Sequence, residues 1–191
     1  LANQLSERGF SIEIQTVTKA IDGQQAGKFN LIATLGTGSG GLVLAGHTDT
    51  VPFDEQQWQS NPFQLLDANH RFYGLGSTDM KGFFALVIKA ITDIQQQLGN
   101  QQLQQPLIIL ATADEETSMA GAKALAAAGK PKARYAVIGE PTDLKPVRMH
   151  KGVMMESITL EGRSGHSSNP ALGNNALDAM HKVIAALMAL R

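Results

Sequence analysis

Hydrophobic and polar positions follow one another along the chain in a pattern that predicts alternating strands and helices. Residues 10–17 alternate apolar and polar side chains, as a half-buried strand does, whereas residues 107–111 form the continuous apolar run of a strand covered on both faces. Apolar residues recur every three or four positions in 80–98, which predicts a long amphipathic helix. The other predicted elements are helices at 1–8 and 119–128, strands at 29–35, 42–46 and 135–138, and a polar turn region at 21–28. This order favours an α/β fold in which a mostly parallel sheet carries helices on both faces.

The pattern changes near residue 150. Residues 153–160 predict a further strand, and a helix follows for which Asn174 or Asn175 is the expected cap. We therefore predict one domain over 1–150 and the beginning of a smaller α+β domain over 151–191. Because the chain starts and stops inside apparent helices, we expect both domains to be incomplete.

A glycine-rich stretch at 36–41 has the spacing G-x-G-x-x-G of a dinucleotide-binding loop. Such a loop needs a helix directly after the glycines, because the N-terminus of that helix holds the pyrophosphate. Here a strand-like apolar run follows at once. A glycine-rich hairpin turn is therefore the favoured interpretation, and nucleotide binding is disfavoured.

A histidine and an aspartate stand two residues apart where the predicted strand at 42–46 ends. Residues i and i+2 of an extended chain point to the same side, so His47 and Asp49 can face one point in space. His47 would then be a metal ligand, and Asp49 would hold its imidazole from behind. An ordinary turn with a hydrogen-bonded histidine is the alternative, and these residues alone leave both interpretations open.

Acidic residues follow other predicted elements in a similar way. Three consecutive acids, which include Glu115 and Glu116, come directly after the continuous apolar strand, and their mutual repulsion suggests a bound cation. Glu140 follows the strand at 135–138, and Asp79 opens the long helix, where a capping role worth about 1 kcal/mol is its alternative. Because ligands of open α/β sheets bind at the carboxyl ends of the strands, we expect these acids and His47 to converge on one site.

Composition limits the chemistry of such a site. The 191 residues include no cysteine, which excludes disulfides, thiolate ligands and cysteine nucleophiles, so that any metal would be held by His, Asp and Glu. The formal net charge of -1 gives no electrostatic reason to expect a nucleic acid or a membrane surface as partner. No apolar run approaches the roughly 20 residues needed to cross a bilayer.

Five motifs, in this order along the chain, resemble the M20 family of dinuclear metallo-hydrolases. They are G-H-T-D-T-V-P at 46–52, G-S-T-D-M-K-G at 76–82, D-E-E at 114–116, G-E-P-T at 139–142 and G-R-S-G-H-S-S at 162–168. The resemblance covers nearly the whole chain. It implies a zinc-peptidase-like catalytic domain in 1–150, the start of a lid and dimerisation domain in 151–191, and metal-dependent hydrolysis of an amide bond.

The resemblance also implies a ligand set for two zinc ions, for which cobalt or manganese could substitute. Asp79 would bridge the two ions. His47 and Glu140 would complete one metal site, while Glu116 would belong to the other. The resemblance further implies a cis peptide bond between Asp79 and Met80.

Catalytic roles follow from the same resemblance. Glu115 would be the general base, and Asp49 would orient the imidazole of His47. His166, from the smaller domain, would stabilise the oxyanion, in this family often across a dimer. We therefore expect a homodimer for the complete protein and an N-acyl amino acid as its small-molecule substrate.

Within the family, the motifs are most like those of the deacetylases that release acetate and ornithine from N2-acetylornithine in arginine biosynthesis, for which a cytoplasmic location is expected. Desuccinylases of succinyl-diaminopimelate, dipeptidases and aminoacylases are the alternatives inside the family. A catalytically inactive, truncated metal-binding chain is the alternative from another class.

The family's second metal site also uses a histidine beyond the small domain, for which this chain has no counterpart. We therefore predict that the chain alone fills at most one metal site well and turns over substrate weakly or not at all.

Overall fold

The fold is taken from a computed structural model that describes most of the chain. The described residues are 1–18, 27–99, 102–152, 154 and 156–190. They form two compact units, residues 1–146 and residues 147–191, and each unit is described by itself. The polar turn predicted at 21–28 falls largely outside the described residues. The assignment of 1–150 to a catalytic domain and of 151–191 to a lid domain stays a prediction.

Seven strands run through the described part of the first unit. In chain order they are β1 (Ser11–Thr18), β2 (Lys28–Leu35), β3 (Leu42–His47), β4 (Leu66–Ala68), β5 (Arg71–Tyr73), β6 (Leu107–Thr112) and β7 (Tyr135–Ile138). Five of them form one sheet in the order β1-β2-β6-β3-β7, while β4 and β5 form a separate antiparallel pair. Within the large sheet, β2 is antiparallel to both of its neighbours, whereas β3 is parallel to β6 and to β7. Only β2 thus runs against the other four strands, and the prediction of a mostly parallel sheet is confirmed.

Helices cover both faces of this sheet, as predicted. They are α1 (Ala2–Ser6), α2 (Lys81–Leu98) and α3 (Ala120–Ala128). On one face, Leu5 of α1 and the 84, 87 and 91 positions of α2 pack in a buried cluster with alternate side chains of β2 and β6. On the other face, Leu125 of α3 packs against the intervening side chains of the same strands and against Val43 of β3. Each large apolar side chain buried in this way contributes about 1.5–3 kcal/mol to folding.

The glycine-rich segment at 36–41 is not a hairpin turn, which corrects the sequence-based interpretation. Both β2 and β3 pair with β6 and lie on its two sides, so the segment crosses the start of β6 instead of joining neighbouring strands. Gly41 passes so close to β6 that a Cβ there would lie 2.1 Å from the carbonyl oxygen of Pro106. A strand follows the glycines directly, and this agrees with the prediction that disfavoured nucleotide binding.

The described residues of the second unit contain one α-helix, α4 (Ala176–Met188), which follows a short 3-10 helix at Pro170–Leu172. The side chain of Asn175 caps it by accepting a hydrogen bond from the backbone N–H of Leu177. Such a cap contributes about 1 kcal/mol, and the predicted helix is confirmed. No helix in the described part of the whole chain is both long and apolar enough to cross a membrane.

The strand predicted at 153–160 is wrong for those of its residues that the structure describes; Val153 and Met155 lie outside them. A strand forms only where a neighbouring strand completes its backbone hydrogen bonds. In this unit the described bridge joins Arg163 to Asn174 instead. The sequence of this segment alone could not indicate which strand, if any, would pair with it.

Candidate metal centre

The carboxyl ends of three parallel strands lie side by side in the first unit. His47, the last residue of β3, is paired with Thr112, the last residue of β6. The last paired residue of β7, Ile138, stands beside Ala45 of β3. The chain therefore leaves β3, β6 and β7 at one edge of the sheet, where the sequence predicted that polar side chains converge.

His47 is buried at this edge, with only 1% of its side chain exposed. Its Nδ1 lies 3.0 Å from the backbone carbonyl oxygen of Asp49, and its Nε2 lies 3.0 Å from Oδ1 of Asp79. Because a carbonyl oxygen can only accept, Nδ1 carries a proton, and in the neutral ring the lone pair of Nε2 then points at the Asp79 carboxylate. Two acceptors that face each other need a proton or a metal cation between them. A ligating histidine is commonly held in the same way as His47, with its other ring nitrogen donating to a carbonyl oxygen.

The protonation of His47 reflects the same surroundings. Burial lowers the pKa of the imidazole, but the hydrogen bonds to Asp49 and Asp79 and the nearby charge of Glu115 together outweigh burial and raise that pKa above its ordinary value. The site thus favours a positive charge at this position.

Three of the four predicted metal ligands come together. His47, Asp79 and Glu116 each offer one ligand atom, and these atoms lie within 4.8 Å of one another. Glu140 is near enough for its charge to interact with those of Asp79 and His47. The predicted convergence of strand-end residues is therefore observed for a set of one imidazole and several carboxylates.

The carboxylates of this set carry negative charge that the described residues do not balance. Burial, followed by the charge of Asp79, raises the pKa of Glu116, and desolvation and the same charge raise the pKa of Glu140. Oε1 of Glu116 and Oδ1 of Asp49 are buried without a hydrogen-bond partner in the described part of the chain. Unpaired buried oxygens and mutually repelling carboxylates fit a divalent cation, and a nitrogen and oxygen donor set suits zinc and its neighbours.

Asp49 and Glu115, to which the resemblance gave catalytic roles, lie at the edge of this cluster. The carboxylate Oδ1 of Asp49 is 3.7 Å from Nδ1 of His47, and its Oδ2 accepts a hydrogen bond from the backbone N–H of Glu116 at 3.0 Å. Oε2 of Glu115 lies 3.9 Å from Nε2 of His47, and 34% of the Glu115 side chain is exposed. Asp49 thereby connects the end of β3 to the loop that follows β6, and Glu115 is partly open to solvent.

Asp79 reaches the site from the segment before α2. The Asp79–Met80 peptide is cis, as the resemblance implied. Met80 is fully buried and lies over Gly46, where a Cβ would come within 2.7 Å of the Met80 methyl carbon. The helix starts without a side-chain cap, so the capping alternative for Asp79 is wrong and its carboxylate is left for His47.

Sequence reasoning missed the role of Asp114, the first of the three consecutive acids. The three acids were interpreted together as a signal for one bound cation, but the cation of Asp114 is the ammonium group of Lys28. Bonds from Lys28 first, then from the hydroxyl groups of Ser118 and Thr117, hold the pKa of Asp114 well below its usual range. The alternation of β2, which places Lys28 and Asn30 on one face, was the available signal.

His166 belongs to the second unit, and its own surroundings define its ring. Its Nδ1 lies 2.8 Å from the hydroxyl of Ser168 and accepts a hydrogen bond from the Ser168 backbone N–H at 3.2 Å. Nε2 is therefore the ring nitrogen that carries a proton to donate.

A family profile and solved structures identify the family and support the fold. The profile described as Peptidase family M20/M25/M40 matches residues 43–190, so the chain belongs to that peptidase family. A tripeptidase from Staphylococcus aureus aligns with 96% of this chain and 48% of its own at a TM-score of 0.60 and 16% identity. Human carnosine dipeptidase 1 aligns with 72% of this chain and 30% of its own at a TM-score of 0.59 and 23% identity. At such identities the structures support the fold alone.

Curated relatives are much closer in sequence. The chain is 54% identical over 191 residues to the acetylornithine deacetylase of Proteus mirabilis, covering 100% of this chain and 47% of the relative. It is 52% identical to the acetylornithine deacetylase of Photorhabdus laumondii, with the same coverage of 100% and 47%. The chain therefore spans about half the length of the curated relatives it matches.

Proposed function

We propose that this chain is part of a metal-dependent amide hydrolase that converts N2-acetylornithine and water into ornithine and acetate, the reaction expected in arginine biosynthesis. The observation that carries the proposal is the group of ligand atoms from His47, Asp79 and Glu116 within 4.8 Å of one another. Membership of the peptidase family and the names of the similar deacetylases support the reaction type and the substrate. A cytoplasmic location and a homodimer belong to the same proposal.

His47, Asp79, Glu116 and Glu140 would hold the metal, and zinc is the ion that their donor atoms suit best, with cobalt or manganese as substitutes. In the proposed complete active site, these residues together with further ligands would hold two such ions. A divalent ion in such a site supplies Lewis-acid polarisation of the scissile carbonyl. The unpaired Oε1 of Glu116 supports its place in this set.

Glu115 is the proposed general base. Its carboxylate lies 3.9 Å from Nε2 of His47 and is partly open to solvent, so a water molecule can reach it. Glu115 would take the proton of the attacking water and deliver it to the departing amine as the amide C–N bond breaks. The Nε2–H donor of His166 would stabilise the negative oxygen that develops on the acyl carbon, and Asp49 would keep His47 oriented.

The test measures the rate of ornithine release from N2-acetylornithine. This rate is compared with the rates at which N-succinyl-diaminopimelate and simple dipeptides, the alternative substrates, are hydrolysed. It is run on this chain and on a polypeptide of the relatives' full length that carries it. We expect N2-acetylornithine to be hydrolysed fastest by the longer polypeptide. The variant Glu115→Gln is expected to lower kcat by roughly 10²–10⁴-fold while leaving the bound metal unchanged.

Glu7→Gln is the matched control, because Glu7 is the exposed residue that ends α1, and Gln4 is the only described residue that donates a hydrogen bond to its carboxylate. It should leave kcat unchanged. Equal rates for wild type and Glu115→Gln would show that Glu115 is not the base. Preferred hydrolysis of the succinylated substrate would replace the deacetylase by the desuccinylase.

A chain that binds metal without turnover is the second candidate function. It is favoured by the single three-residue ligand group found among the described residues. Metal bound at one ion per chain, with no product from any substrate, is the result that this candidate predicts.

A further inference from the structure

Two polar residues of β2, Lys28 and Asn30, project from the same face of the strand because they are two positions apart. Asn30 is completely buried. Its Nδ2 donates to the carbonyl oxygen of Gly121 at 3.0 Å and to Oε1 of Gln15 at 2.8 Å, and its Oδ1 accepts from the backbone N–H of Ala113 at 3.1 Å. Asn30 thereby ties both ends of the segment 113–121, here called the acidic turn, to β2.

Lys28 holds the acidic turn at a third point. Its ammonium group bonds Oδ1 of Asp114, whose side chain is only 5% exposed. The same carboxylate accepts hydrogen bonds from the hydroxyl groups of Thr117, at 2.7 Å, and of Ser118. Asp114 has a φ of 65°, a conformation that non-glycine residues seldom adopt, so the turn depends on these bonds to keep its shape.

The other side of the acidic turn presents its acids to the candidate metal centre. The Glu116 backbone N–H donates to Oδ2 of Asp49, and the Glu115 carboxylate lies near Nε2 of His47. A shift of Asp114 would therefore move Glu115 and Glu116, which follow it directly in the chain.

We propose that Lys28 and Asn30 are positioning residues, which set the metal affinity of the site by holding the acidic turn in place. The proposal rests on the proposed function in that it takes His47, Asp79 and Glu116 as metal ligands. Groups that orient ligands from behind typically change metal affinity by about 10–100-fold when they are removed.

Charge and positioning predict opposite effects for Lys28. Coulomb's law alone says that removing a lysine near the site strengthens its attraction for a divalent cation. If Lys28 positions the acidic turn, the same removal should weaken metal binding, because the buried Asp114 loses its partner and the turn rearranges. The sign of the change in affinity therefore separates the two effects.

The experiment is a titration of the metal-stripped chain with Co²⁺, followed by visible absorption, whose bands report the ligand geometry. Lys28→Met should weaken Co²⁺ binding by about 10–100-fold and alter the bands. Lys130→Met is the matched control, because Lys130 pairs with Glu13 at 2.8 Å and has no contact with the acidic turn among the described side-chain bonds. Unchanged or tighter binding by Lys28→Met would overturn the proposal.

A loss of overall stability must not be mistaken for a loss of positioning. Ile91→Ala opens the core on the sheet face opposite to α3, so it lowers stability without touching the acidic turn. At a temperature where circular dichroism shows both variants folded, Ile91→Ala should bind Co²⁺ like the wild type. An equal loss of affinity in Ile91→Ala and Lys28→Met would assign the effect to stability and overturn positioning.

Amide hydrogen exchange, measured with a chelator present, tests the proposal without metal. The backbone N–H of Glu116 is bonded to Asp49, so its exchange reports whether the turn keeps its place. Lys28→Met should accelerate that exchange by roughly tenfold or more, whereas Lys130→Met should not. Equal exchange in wild type and Lys28→Met would overturn positioning.

Failure of the wild type to bind Co²⁺ would instead refute the proposed metal site, and the exchange rates would still decide whether Lys28 positions the turn.

Discussion

The two sides of the acidic turn place neighbouring carboxylates in opposite electrostatic surroundings. On the β2 side, the ammonium group of Lys28 and two hydroxyl groups hold the pKa of Asp114 well below its usual range. On the other side, burial and the charge of Asp79 raise the pKa of Glu116, only partly offset by His47. Among the described residues, Lys28 thus supplies a cation that pairs directly with Asp114, whereas Glu116 has only the partial compensation of His47. This difference supports the proposal that a divalent cation completes the Glu116 side.

The largest expected loss of stability comes from a substitution that disturbs both sides of the acidic turn. Gly121→Ala would put a Cβ 2.4 Å from the carbonyl oxygen of Ala113 and 2.5 Å from Oδ1 of Asn30. We expect a loss of about 3 kcal/mol or more in the free energy of unfolding, because overpacking and broken buried hydrogen bonds add. Gly129→Ala, at the other end of α3, meets no atom within 4 Å and has a φ of +61°, so it should cost only about 1–2 kcal/mol. Urea unfolding measures both, and equal losses would contradict this account of the turn.

The next largest changes in the free energy of unfolding should have opposite signs on the two sides of the acidic turn. Asp114→Asn removes the charged acceptor of Lys28 and should lower the free energy of unfolding of the metal-free chain by about 1.5–3 kcal/mol. Glu116→Gln removes a carboxylate whose ionised form is disfavoured in the folded state, so it should raise the free energy of unfolding. Urea unfolding near neutral pH, with a chelator present, checks both. Destabilisation by both variants would contradict the comparison.

The pH dependence should have opposite signs as well. The folded pKa of Asp114 lies below its unfolded value of about 3.9, so its stabilisation is complete above that pH and is lost as the pH falls further. The folded pKa of Glu116 lies above its unfolded value of about 4.3, so the metal-free chain gains stability from Glu116 as the pH falls through the folded pKa. The free energy of unfolding should therefore be measured from neutral to acidic pH. In Asp114→Asn its decline at the most acidic pH should be smaller than in the wild type, and in Glu116→Gln the rise that precedes this decline should be absent. Profiles that both match the wild type would contradict these signs.

The smallest effect is expected from a similar ion pair in more exposed surroundings. Lys130 pairs with Glu13, and both side chains are about half exposed, at 49% and 50%. Lys130→Met should therefore cost no more than about 1 kcal/mol in the free energy of unfolding. Lys28→Met should cost more, because it leaves the buried carboxylate of Asp114 without its cation. Equal costs in urea unfolding would show that burial of Asp114 makes no difference.

The sequence predicted the parts of the fold and site that follow from local patterns. Apolar runs that end in His47 or in the consecutive acids predicted both the strands and the edge where polar groups meet. Asp79 was expected at the same edge because it opens the long helix, and its contact with His47 agrees.

Long-range pairing could not be predicted in the same way. The insertion of β6 between β2 and β3 depends on a strand far along the chain, so the glycine-rich segment was misread as a hairpin turn. The pairing of Lys28 with Asp114 has the same cause, because it requires β2 to lie beside β6. The strand predicted after residue 150 failed because its pattern could not report whether a partner strand was present.

The central claim is that His47, Asp79 and Glu116 hold a divalent metal, and a calorimetric titration of the metal-stripped chain with Zn²⁺ tests it most directly. The account predicts binding by the wild type and a loss of affinity of about 100-fold or more in His47→Ala and in Glu116→Gln. Asp93→Asn, which alters an exposed carboxylate paired with Lys89, should bind like the wild type. Zn²⁺ affinity that is the same in all four proteins would contradict the claim.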